Sequence, residues 1–443
     1  MTIYALSSGP GVSGIAVIRV SGKNTSKVIK KLTKRDLPVP RVATRVKYSK
    51  SGEKNLIDEG VIIWFPGPNS YTGEDLAEFH VHGSRAVIKS MHEAISKVEN
   101  CRIAEAGEFT KRAFLNGKIN LLEAESIADL ISSETEIQRK QAIKVMNGKT
   151  SEIFNEWRKK LLKILASVEA KIDFPEEDIP RKIINEMQQV SSKVCLEISK
   201  ALDDQKVGER IREGFKIAII GPPNSGKSSL LNYLSNRDAA IVSSIAGTTR
   251  DIIETHLNLD GYPVILSDTA GIRNSKNEIE KKGIKIALSR AEDADLKLII
   301  VSAKDRNFTT FLSKLLKKNA ILVVNKSDLI KNKHSKIYNN YNHILISIKK
   351  DLNLNKLIKK IKSKLKNKFV TTEDILITRE RHRQNLLNCV YHLKKFQDKK
   401  KFGDFDKAAE DLRLATRHLG MIVGKVDVEE LLGSIFNDFC IGK

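Results

Sequence analysis

The spacing of apolar residues in the first part of the chain, from Met1 to about Gly117, alternates between two periods. The stretches IAVIRV and GVIIWF are short apolar runs of the kind found in β-strands. In SRAVIKSMHEAISKV, the residues Val87, Met91 and Ile95 recur on one side of a helical wheel. The segment PGPNSYTGED, which precedes this helix, is rich in turn-forming residues. This part of the chain is therefore expected to mix strands and helices.

Helical periodicity dominates from Asn120 to about Gly208 and resumes after about Thr371. The stretch SEIFNEWRKKLLKILASVEAKIDFP carries one apolar stripe, and Pro175 ends it. The stripe consists of Ile153, Phe154, Trp157, Leu161, Ile164, Leu165 and Val168. Neither helical block alone provides a convincing core. We therefore predict one helical domain built from both blocks, with the intervening segment inserted, since domain termini often lie close together.

Strands and helices alternate in the inserted segment, from Gly214 to about Lys368. The runs FKIAII, PVILSD, LKLIIVSA and AILVVN are strand-like and are separated by helical text, which predicts a parallel α/β sheet. The last helix, LNKLIKKIKSKLK, has an apolar face formed by Leu354, Leu357, Ile358, Ile361 and Leu365. Its lysines fall on the other face, where solvation is favoured over an RNA site.

Composition adds a charge of +23, from 77 Lys and Arg against 54 Asp and Glu in 443 residues. This excess favours a polyanionic partner, with a solvated lysine-rich surface as the alternative. The four cysteines, Cys101, Cys195, Cys389 and Cys440, are scattered and form no CxxC pair, which argues against a disulfide framework or zinc ribbon. The N-terminus does not resemble a signal peptide, and no apolar run approaches the roughly 20 residues that span a bilayer. A cytoplasmic protein without a membrane segment is expected.

The motif with the most specific chemistry is GPPNSGKSS, Gly221–Ser229, which fits the phosphate-binding pattern G-x-x-x-x-G-K-[ST]. It directly follows the strand FKIAII and opens a helix, the context that the motif requires. Backbone N–H groups of such a loop face phosphate oxygens. Lys227 supplies a positive charge, and Ser228 supplies a hydroxyl for Mg²⁺.

Three later motifs match the remaining parts of a guanine-nucleotide site. AGTTRD is placed to offer a Mg²⁺ ligand and a γ-phosphate contact, and DTAG ends a strand beside the metal. NKSD ends another strand, where the Asp328 carboxylate accepts from both guanine N1 and N2, which adenine cannot satisfy. Ser347, in ISIKK, occupies the usual fifth position, where Ile348 restricts any contact to the backbone. The residues predicted to bind GTP are Asn224, Ser225, Gly226, Lys227, Ser228, Ser229, Ser243, Ser244, Ile245, Ala246, Gly247, Thr248, Thr249, Asp268, Thr269, Ala270, Gly271, Asn325, Lys326 and Asp328.

The residue after DTAG departs from many GTPases, which carry a glutamine there to orient the attacking water. Here it is Ile272, which cannot form hydrogen bonds through its side chain. Either hydrolysis is slow or another residue positions the water. Glu280 is the nearest candidate carboxylate, although its spacing alone favours a helix-surface glutamate.

Across its whole length the chain resembles the MnmE (TrmE) family of tRNA-modification GTPases. The resemblance is carried by IAVIRVSG, FPGPNSYTGEDLAEFHVHG, AGEFTKRAFLNGKINLLEAESIADLI, KIDFPEEDI, GPPNSGKSSLLN, AAIVSSIAGTTRDIIE, DTAGIR and FCIGK. It implies a multidomain α+β and α/β fold with an N-terminal α/β folate-binding domain, a helical domain and an inserted Ras-like P-loop G domain. The expected boundaries are 1–117 for the N-terminal domain, 118–212 and 371–443 for the two parts of the helical domain, and 213–370 for the G domain.

The resemblance also implies a potassium ion in place of an arginine finger, in G domains that pair across their nucleotide faces. The matching potassium ligands are Asn224, Ser243, Ile245 and Thr248, and those of Mg²⁺ are Ser228 and Thr249. Glu280 matches the residue that orients the attacking water through a second water, which explains how Ile272 is tolerated.

For the N-terminal domain, the resemblance implies homodimerisation and binding of a tetrahydrofolate derivative at Arg19, Glu78, Lys118 and Lys443. The pair His80 and His82 lacks a third nearby metal ligand, so a structural or substrate-facing role is favoured. With a MnmG/GidA-type partner that carries FAD, in a heterotetramer or larger complex, the family adds an aminomethyl or carboxymethylaminomethyl group to carbon 5 of a tRNA wobble uridine.

The tail FCIGK ends in residues that do not suit lipidation, because Gly442 and Lys443 break the C-a-a-X pattern. The resemblance places this tail near the folate pocket, where Cys440 is either catalytic or part of a tail that shapes the site.

The competing interpretation of the whole chain is an RNA-binding GTPase switch in ribosome assembly. That alternative predicts an RNA module such as a KH domain with its GXXG loop, and no such loop follows Thr371.

Overall fold

The computed structural model describes residues 1–50, 55–174, 176, 181–237, 254–268, 294–304, 316, 319–330, 341–369, 375–398, 405–426, 432–433, 435–436 and 439–442. Two compact units are distinguished within the chain. The first comprises Met1–Ile131, Lys144–Val194 and Asn388–Lys443, and the second comprises Ser132–Ile143 and Cys195–Leu387. The domain boundaries expected from the sequence stay predictions.

The first unit contains a six-stranded sheet of order β3-β4-β5-β2-β1-β6. Its strands are β1 Thr2–Leu6, β2 Ser13–Ser21, β3 Thr44–Ser49, β4 Leu56–Phe65, β5 Leu76–Gly83 and β6 Cys101–Ile103. The described pairings are antiparallel except that of β1 with β6, which is parallel. The predicted strands IAVIRV and GVIIWF lie within β2 and β4, so both predictions are confirmed.

Helices α1 Thr25–Thr33 and α2 Arg85–Ser96 cover one face of this sheet. Helix α2 is the one predicted from SRAVIKSMHEAISKV, and Ser84 caps its N-terminus, because its hydroxyl accepts a hydrogen bond from the backbone N–H of Val87 at 3.2 Å. At the β1 end of the opposite face, Ile3 and Ala5 pack against Phe109 and Tyr71. Phe109 belongs to α3 Glu108–Leu115, which is followed by α4 Leu121–Ile131.

Most of the other described residues that lie outside the second sheet belong to long helices. Their bounds are α5 Glu136–Met146, α6 Lys149–Asp173, α7 Arg181–Leu202, α11 Glu380–Asp398 and α12 Phe405–Val423. Within the first unit, α6 packs along α12. The predicted stripe of α6 is buried from Phe154 to Val168, whereas Ile153 is half-buried. The helix ends at Asp173, before Pro175, as predicted.

The second unit is built on a six-stranded sheet of order β12-β11-β10-β7-β9-β8. Its strands are β7 Phe215–Ile220, β8 Glu254–Leu259, β9 Tyr262–Asp268, β10 Leu296–Ser302, β11 Ala320–Asn325 and β12 His343–Leu345. The predicted parallel sheet is confirmed for β7, β9, β10 and β11. The edge strand β8, which the sequence analysis did not predict, pairs with β9 in the antiparallel direction.

Both faces of the second sheet are buried, which explains why its strands are apolar runs without alternation. Ile217, Ile219 and their neighbours pack on one face against α9 Lys227–Arg237 and α10 Leu354–Phe369, and Ala218 and Ile220 pack on the other. Helix α8 Val207–Glu213 leads into β7. The five residues predicted for the apolar face of α10 are all buried.

The expected fold class is confirmed, with an N-terminal part that mixes strands and helices, a helical part and a Ras-like α/β part that carries the P-loop. In the described part of the chain, no helix combines the length and the apolar character needed to cross a bilayer.

Candidate functional site

The carboxyl ends of the parallel strands of the second unit bring the predicted nucleotide motifs to one edge of the sheet. The P-loop follows β7, the NKSD motif begins at the last residue of β11, and β9 ends at Asp268. Asp268 pairs with Ile219 of β7, the strand that leads into the P-loop. In parallel α/β sheets, ligands bind outside this edge. The topology therefore assembles the motifs into one nucleotide site.

Two glycines allow the P-loop to lie close to neighbouring chain segments. A Cβ on Gly221 would lie 2.0 Å from the carbonyl oxygen of Ile300 in β10. Gly226 adopts a φ of 102°, and a Cβ there would lie 2.1 Å from Nδ2 of Asn325. Any larger residue at either position would force the loop away from the sheet edge, so both glycines are required by close packing.

The described polar groups of the P-loop suit a bound polyphosphate with its metal ion. Lys227 Nζ donates to the carbonyl oxygens of Gly221 and Pro222, at 2.9 Å each, which holds the ammonium group over the loop. Ser228, at the start of α9, is exposed, so its hydroxyl is accessible to Mg²⁺. Ser225 is fully buried, and its hydroxyl has no partner among the described residues. The donor set therefore fits the predicted metal and phosphates.

The NKSD motif is attached directly to the P-loop. Asn325 is buried, and its Nδ2 donates to the carbonyl oxygen of Ser225 at 2.9 Å. Lys326 Nζ donates to the carbonyl oxygen of Asn224 at 2.7 Å. Both residues thus hold the phosphate-binding loop and the base-binding loop together, a role that the sequence analysis did not foresee.

Asp328 presents its carboxylate at the end of this motif. The Ser347 hydroxyl donates to Asp328 Oδ1 at 2.5 Å and, together with Lys349 and Lys350, it holds the pKa of this carboxyl below its usual value. Asp328 is therefore ionised at neutral pH and can accept two N–H groups of guanine. Ser347, assigned to the fifth position, orients the base-recognising carboxylate through its side chain.

Several predicted site residues lie outside the described part of the chain. They are Ser243, Ser244, Ile245, Ala246, Gly247, Thr248, Thr249, Thr269, Ala270, Gly271, Glu280 and Lys443, together with the side chain of Asp268. Their roles stay predictions.

In the first unit, the structure joins two of the residues predicted to bind folate. Arg19 Nη2 and Nε donate to Glu78 Oε1 at 2.8 and 3.2 Å, across the neighbouring strands β2 and β5. The Arg19 guanidinium carbon lies 5.5 Å from the ring centre of Tyr71 and 5.8 Å from that of Phe109. The side chains of Arg19 and Glu78 are 15 and 20 % exposed, so this ion pair is accessible at the edge of an aromatic cluster.

A ladder of alternating charges supports the loop that carries Tyr71. Arg112 lies 2.9 Å from Glu74 and 3.0 Å from Glu108, and Glu108 lies 2.7 Å from Arg102. Although burial opposes ionisation of Glu108, the hydrogen bonds from Arg102, the Glu105 N–H and Arg112 outweigh it and lower its pKa. The sequence analysis missed Tyr71, Phe109 and this ladder, because only the spacing of Glu108 and Arg112 is local enough to be recognised.

Lys118 is attached to the same loop, since its Nζ donates to the carbonyl oxygen of Pro68 at 3.0 Å. Asn116, two residues earlier, donates to the carbonyl oxygen of Thr72 at 2.7 Å. Lys118 therefore reaches the segment that places Tyr71 beside Arg19, although it makes no described contact with Arg19 itself.

The C-terminal tail lies against the N-terminal sheet. Ile441 forms a β-bridge with Ala106, and the Ser7 hydroxyl donates to the carbonyl oxygen of Gly442 at 2.9 Å. A Cβ on Gly442, whose φ is 98°, would lie 2.1 Å from the carbonyl oxygen of Leu6, so glycine is needed for this approach. Cys440 is exposed. Leu6, which the tail contacts, pairs with Ile18 of β2. Since Ile18 directly precedes Arg19, the tail lies one residue along the sheet from the Arg19 position.

The histidines of HVHG take different partners. His82 Nδ1 lies 2.8 Å from Asp58 Oδ1, and the backbone N–H of His82 donates to Asp58 Oδ2. His80 Nε2 is buried without a hydrogen bond, 3.6 Å from Glu78 Oε2. No cluster of three potential metal ligands occurs in the described part of the chain. A structural role for His82, and a position beside the Arg19–Glu78 pair for His80, agree with this geometry.

Comparison with protein families gives two matches that together span most of the chain. The model of the MnmE helical domain matches residues 121–440, and that of the GTP-binding protein TrmE N-terminus matches residues 2–118. The tRNA modification GTPase MnmE of Pelagibacter ubique strain HTCC1062 is 69 % identical over 443 residues and 100 % of both chains. The protein of the same name in Rickettsia bellii strain RML369-C is 46 % identical over 446 residues, also over 100 % of both chains.

Two solved structures show weaker likenesses. The G domain of the T. maritima FeoB iron transporter is 24 % identical, with a TM-score of 0.27, over 34 % of this chain and 98 % of that one. A GTP-binding protein from Sulfolobus solfataricus, in complex with GDP, is 16 % identical, with a TM-score of 0.27, over 63 % of this chain and 85 % of that one. At such scores neither likeness carries weight. The family matches and the full-length relatives carry the assignment, and they agree with the geometry of the site. The chain therefore belongs to the MnmE family of tRNA modification GTPases and is a GTP hydrolase.

Proposed function

We propose that this protein hydrolyses GTP in a K⁺-dependent cycle and, with a MnmG/GidA-type FAD protein, modifies carbon 5 of the tRNA wobble uridine. The observation that carries the proposal is that one chain contains both a P-loop joined to the NKSD motif and an Arg19–Glu78 ion pair. The chain is also 69 % identical to a tRNA modification GTPase. The modification is an aminomethyl or carboxymethylaminomethyl group, with the one-carbon unit supplied by folate. Hydrolysis drives a conformational cycle, because the two nucleotide states are bound differently.

At the nucleotide site, we assign separate tasks to the described residues. Lys227 offsets phosphate charge, and Ser228, with Thr249, would hold Mg²⁺, which stabilises charge that develops on the phosphates. Asp328 selects guanine. Asn224, whose φ of 58° places it at the bend of the loop, is exposed, and an amide oxygen there is a suitable ligand for K⁺. Ser243, Ile245 and Thr248 would complete that site.

At the N-terminal site, we assign recognition of the folate to Arg19, Glu78 and Lys118, with Lys443 added from the tail. Support comes from the partly exposed Arg19–Glu78 pair, in which Glu78 accepts from Arg19 through Oε1 alone, while Oε2 lies 3.6 Å from His80 Nε2. The described tail is held beside this sheet, which is consistent with a role for Cys440 in positioning or reacting with the substrate. A homodimer is proposed on the family resemblance.

The potassium assignment predicts that replacing K⁺ by Na⁺ lowers the rate of GTP hydrolysis about tenfold or more, because stabilisation of developing charge is lost. Glu280→Ala is expected to retain GTP binding but to lose most of its turnover in K⁺. A phosphate-release assay at matched ionic strength measures both effects. Glu213→Ala, which changes a glutamate exposed on α8, is the control and should keep full turnover. Equal rates in the two salts would refute the potassium site.

The proposed function as a whole is tested by mass-spectrometric nucleoside analysis of tRNA from cells that lack this protein. We expect the modified wobble uridine to disappear, and to return when the wild-type gene is restored. Arg19→Gln should fail to restore it, because the folate loses its guanidinium partner. Lys30→Gln, which removes a charge paired with Asp36 on the surface of the same sheet domain, should restore it fully. Normal modification in cells without the protein would exclude the proposal.

A further inference from the structure

The solvent face of α10 is a continuous lysine surface. The helix carries seven lysines and no acidic residue among its sixteen residues, Leu354–Phe369. Five of these lysines are exposed, and they are Lys356, Lys359, Lys360, Lys364 and Lys366, here called the α10 lysine face. Lys356, Lys360 and Lys364 follow one another at four-residue intervals, so they form a stripe along the helix. From the first to the last lysine the face is about 15 Å long.

The charge of this face is not compensated within the described part of the chain. Of the α10 lysines with described side chains, Lys362 alone has an ion pair, with Asp260 at 2.6 Å, and it does not belong to the face. Like charges four residues apart repel each other and destabilise a helix. A helix surface does not need a row of lysines to be solvated. A mixture of acidic and basic residues is solvated equally well and stabilises the helix more. The repulsion is relieved when an anionic partner binds.

The opposite side of α10 argues against insertion into a membrane. An amphipathic helix binds a lipid surface by inserting its apolar face. In α10 that face is occupied, because Leu357, Ile361 and Leu365 are fully buried in the core of the second unit. A protein partner is also disfavoured, since interface cores are depleted in lysine and rely on aromatic or arginine anchors. A partner bound by charge alone, over about 15 Å, matches a nucleic-acid backbone.

We propose that the α10 lysine face is a docking surface for the phosphate backbone of tRNA. This inference rests on the proposed function, which makes tRNA the substrate, and it reverses the sequence-based preference for simple solvation. Lysines are point charges that contact phosphates without reading bases. The face therefore contributes affinity and orientation rather than choice of tRNA. Lys349 and Lys350, which act on the Asp328 carboxylate, add positive charge to the same unit as α10.

The test is the binding of fluorescein-labelled, unfractionated tRNA to the full-length protein, measured by anisotropy between about 50 and 200 mM KCl. The variant Lys356→Gln/Lys360→Gln/Lys364→Gln removes the stripe. Its affinity for tRNA should fall about tenfold or more. The slope of log affinity against log salt should decrease in magnitude by about 2 to 3, because each of the three lost phosphate contacts contributes roughly 0.7–0.9 to that slope. Lys182→Gln/Lys193→Gln/Lys200→Gln removes the same charge from exposed positions of α7 and should stay within about twofold of the wild type.

A second variant separates loss of binding from loss of folding. In Lys360→Glu, the new carboxylate lies four residues from both Lys356 and Lys364, so it relieves their repulsion. We expect an unchanged or higher Tm and unchanged GTP hydrolysis, together with weaker tRNA binding. If both stripe variants bind tRNA like the α7 control, the docking surface is wrong. If the stripe variants lose binding to phosphatidylserine vesicles but not to tRNA, the face contacts a membrane and the inference is also overturned.

These results are distinguishable from failure of the proposed function. If tRNA modification depends on the protein but the stripe variants bind tRNA normally, the function stands and the docking surface alone is refuted. If the wild-type protein binds no tRNA and modification persists without it, the proposed function fails and the docking surface fails with it.

Discussion

Asp328→Asn should lower the affinity for GTP by a factor of about 100 or more, because the carboxylate proposed to recognise guanine is replaced by an amide that pairs incorrectly. The Asp328 carboxylate accepts from guanine N1–H and from its amino group, whereas an amide can accept only on one side and donates on the other. Xanthine carries a carbonyl where guanine carries the amino group. The variant is therefore expected to hydrolyse xanthosine triphosphate, which the wild type should discriminate against.

Competition binding and steady-state hydrolysis with both nucleotides measure this change of specificity. Ser347→Ala is a matched control, since it removes the hydrogen bond to Asp328 Oδ1 at 2.5 Å but keeps the carboxylate. It should weaken GTP binding modestly without admitting the xanthine nucleotide. Because the pKa of Asp328 is lowered, guanine recognition should persist as the pH falls to mildly acidic values and be lost only when the carboxyl is protonated. Wild-type KM for GTP in Asp328→Asn would refute the role.

Arg383→Met should destabilise the second unit by about 3 to 5 kcal/mol, since it removes the cation from a buried charge cluster. Arg383 Nε lies 2.6 Å from Glu209 Oε1, and Nη2 lies 2.6 Å from Asp204 Oδ1. The side chains of Arg383 and Glu209 are 8 and 7 % exposed. Burial opposes the charge of Arg383, but the hydrogen bonds to Glu209 and Asp204 outweigh it and raise its pKa. Without Arg383, the buried carboxylate of Glu209 would lose its cation, and the half-buried Asp204 would keep its hydrogen bond from the backbone N–H of Lys206.

The cluster joins the segment that leads into the P-loop strand with the helix that follows the second sheet. Hydrogen exchange measures its contribution locally, and the amides of α8 should exchange about 10²–10³ times faster in Arg383→Met. Arg139→Met is the control within the same unit, because Arg139 and its partner Glu136 are 48 and 53 % exposed, and it should leave exchange unchanged. Protection equal to the wild type in Arg383→Met would show that the cluster does not stabilise this unit.

The helices and the central strands were predictable because each needs only a local pattern. The five apolar positions of α10, the strand before the P-loop and the end of α6 before Pro175 agree with the structure. Strand β8 was missed because ETHLNL opens with three polar residues and contains only two strongly apolar ones, and its pairing with β9 depends on a turn at Asp260 and Gly261. Local pattern does not show which neighbour an edge strand selects.

The functional motifs were predictable for a related reason, since a phosphate loop or a base-recognition loop is contiguous in the chain. The contacts that hold these loops in place are not contiguous. Asn325 contacts the P-loop from 100 residues away, Arg383 contacts Glu209 from 174 residues away, and Ser7 contacts Gly442 from 435 residues away. Such pairs follow from the strand order and from close approaches at glycine, neither of which is visible in one sequence.

The sequence by itself identified the residues proposed to carry the chemistry, namely Lys227 and Asp328 through their motifs and Arg19 through the family resemblance. It also determined the alternation of strands and helices, because residue type and period act over a few positions. Only the tertiary structure decided the partners of these residues. It placed Tyr71 and Phe109 beside Arg19, held the tail against Ser7 at the end of β1, and gave the five lysines of the α10 lysine face no ion pair within the described residues. Charges and rings act through space over a few ångströms, so their effects depend on a packing that chain order does not reveal.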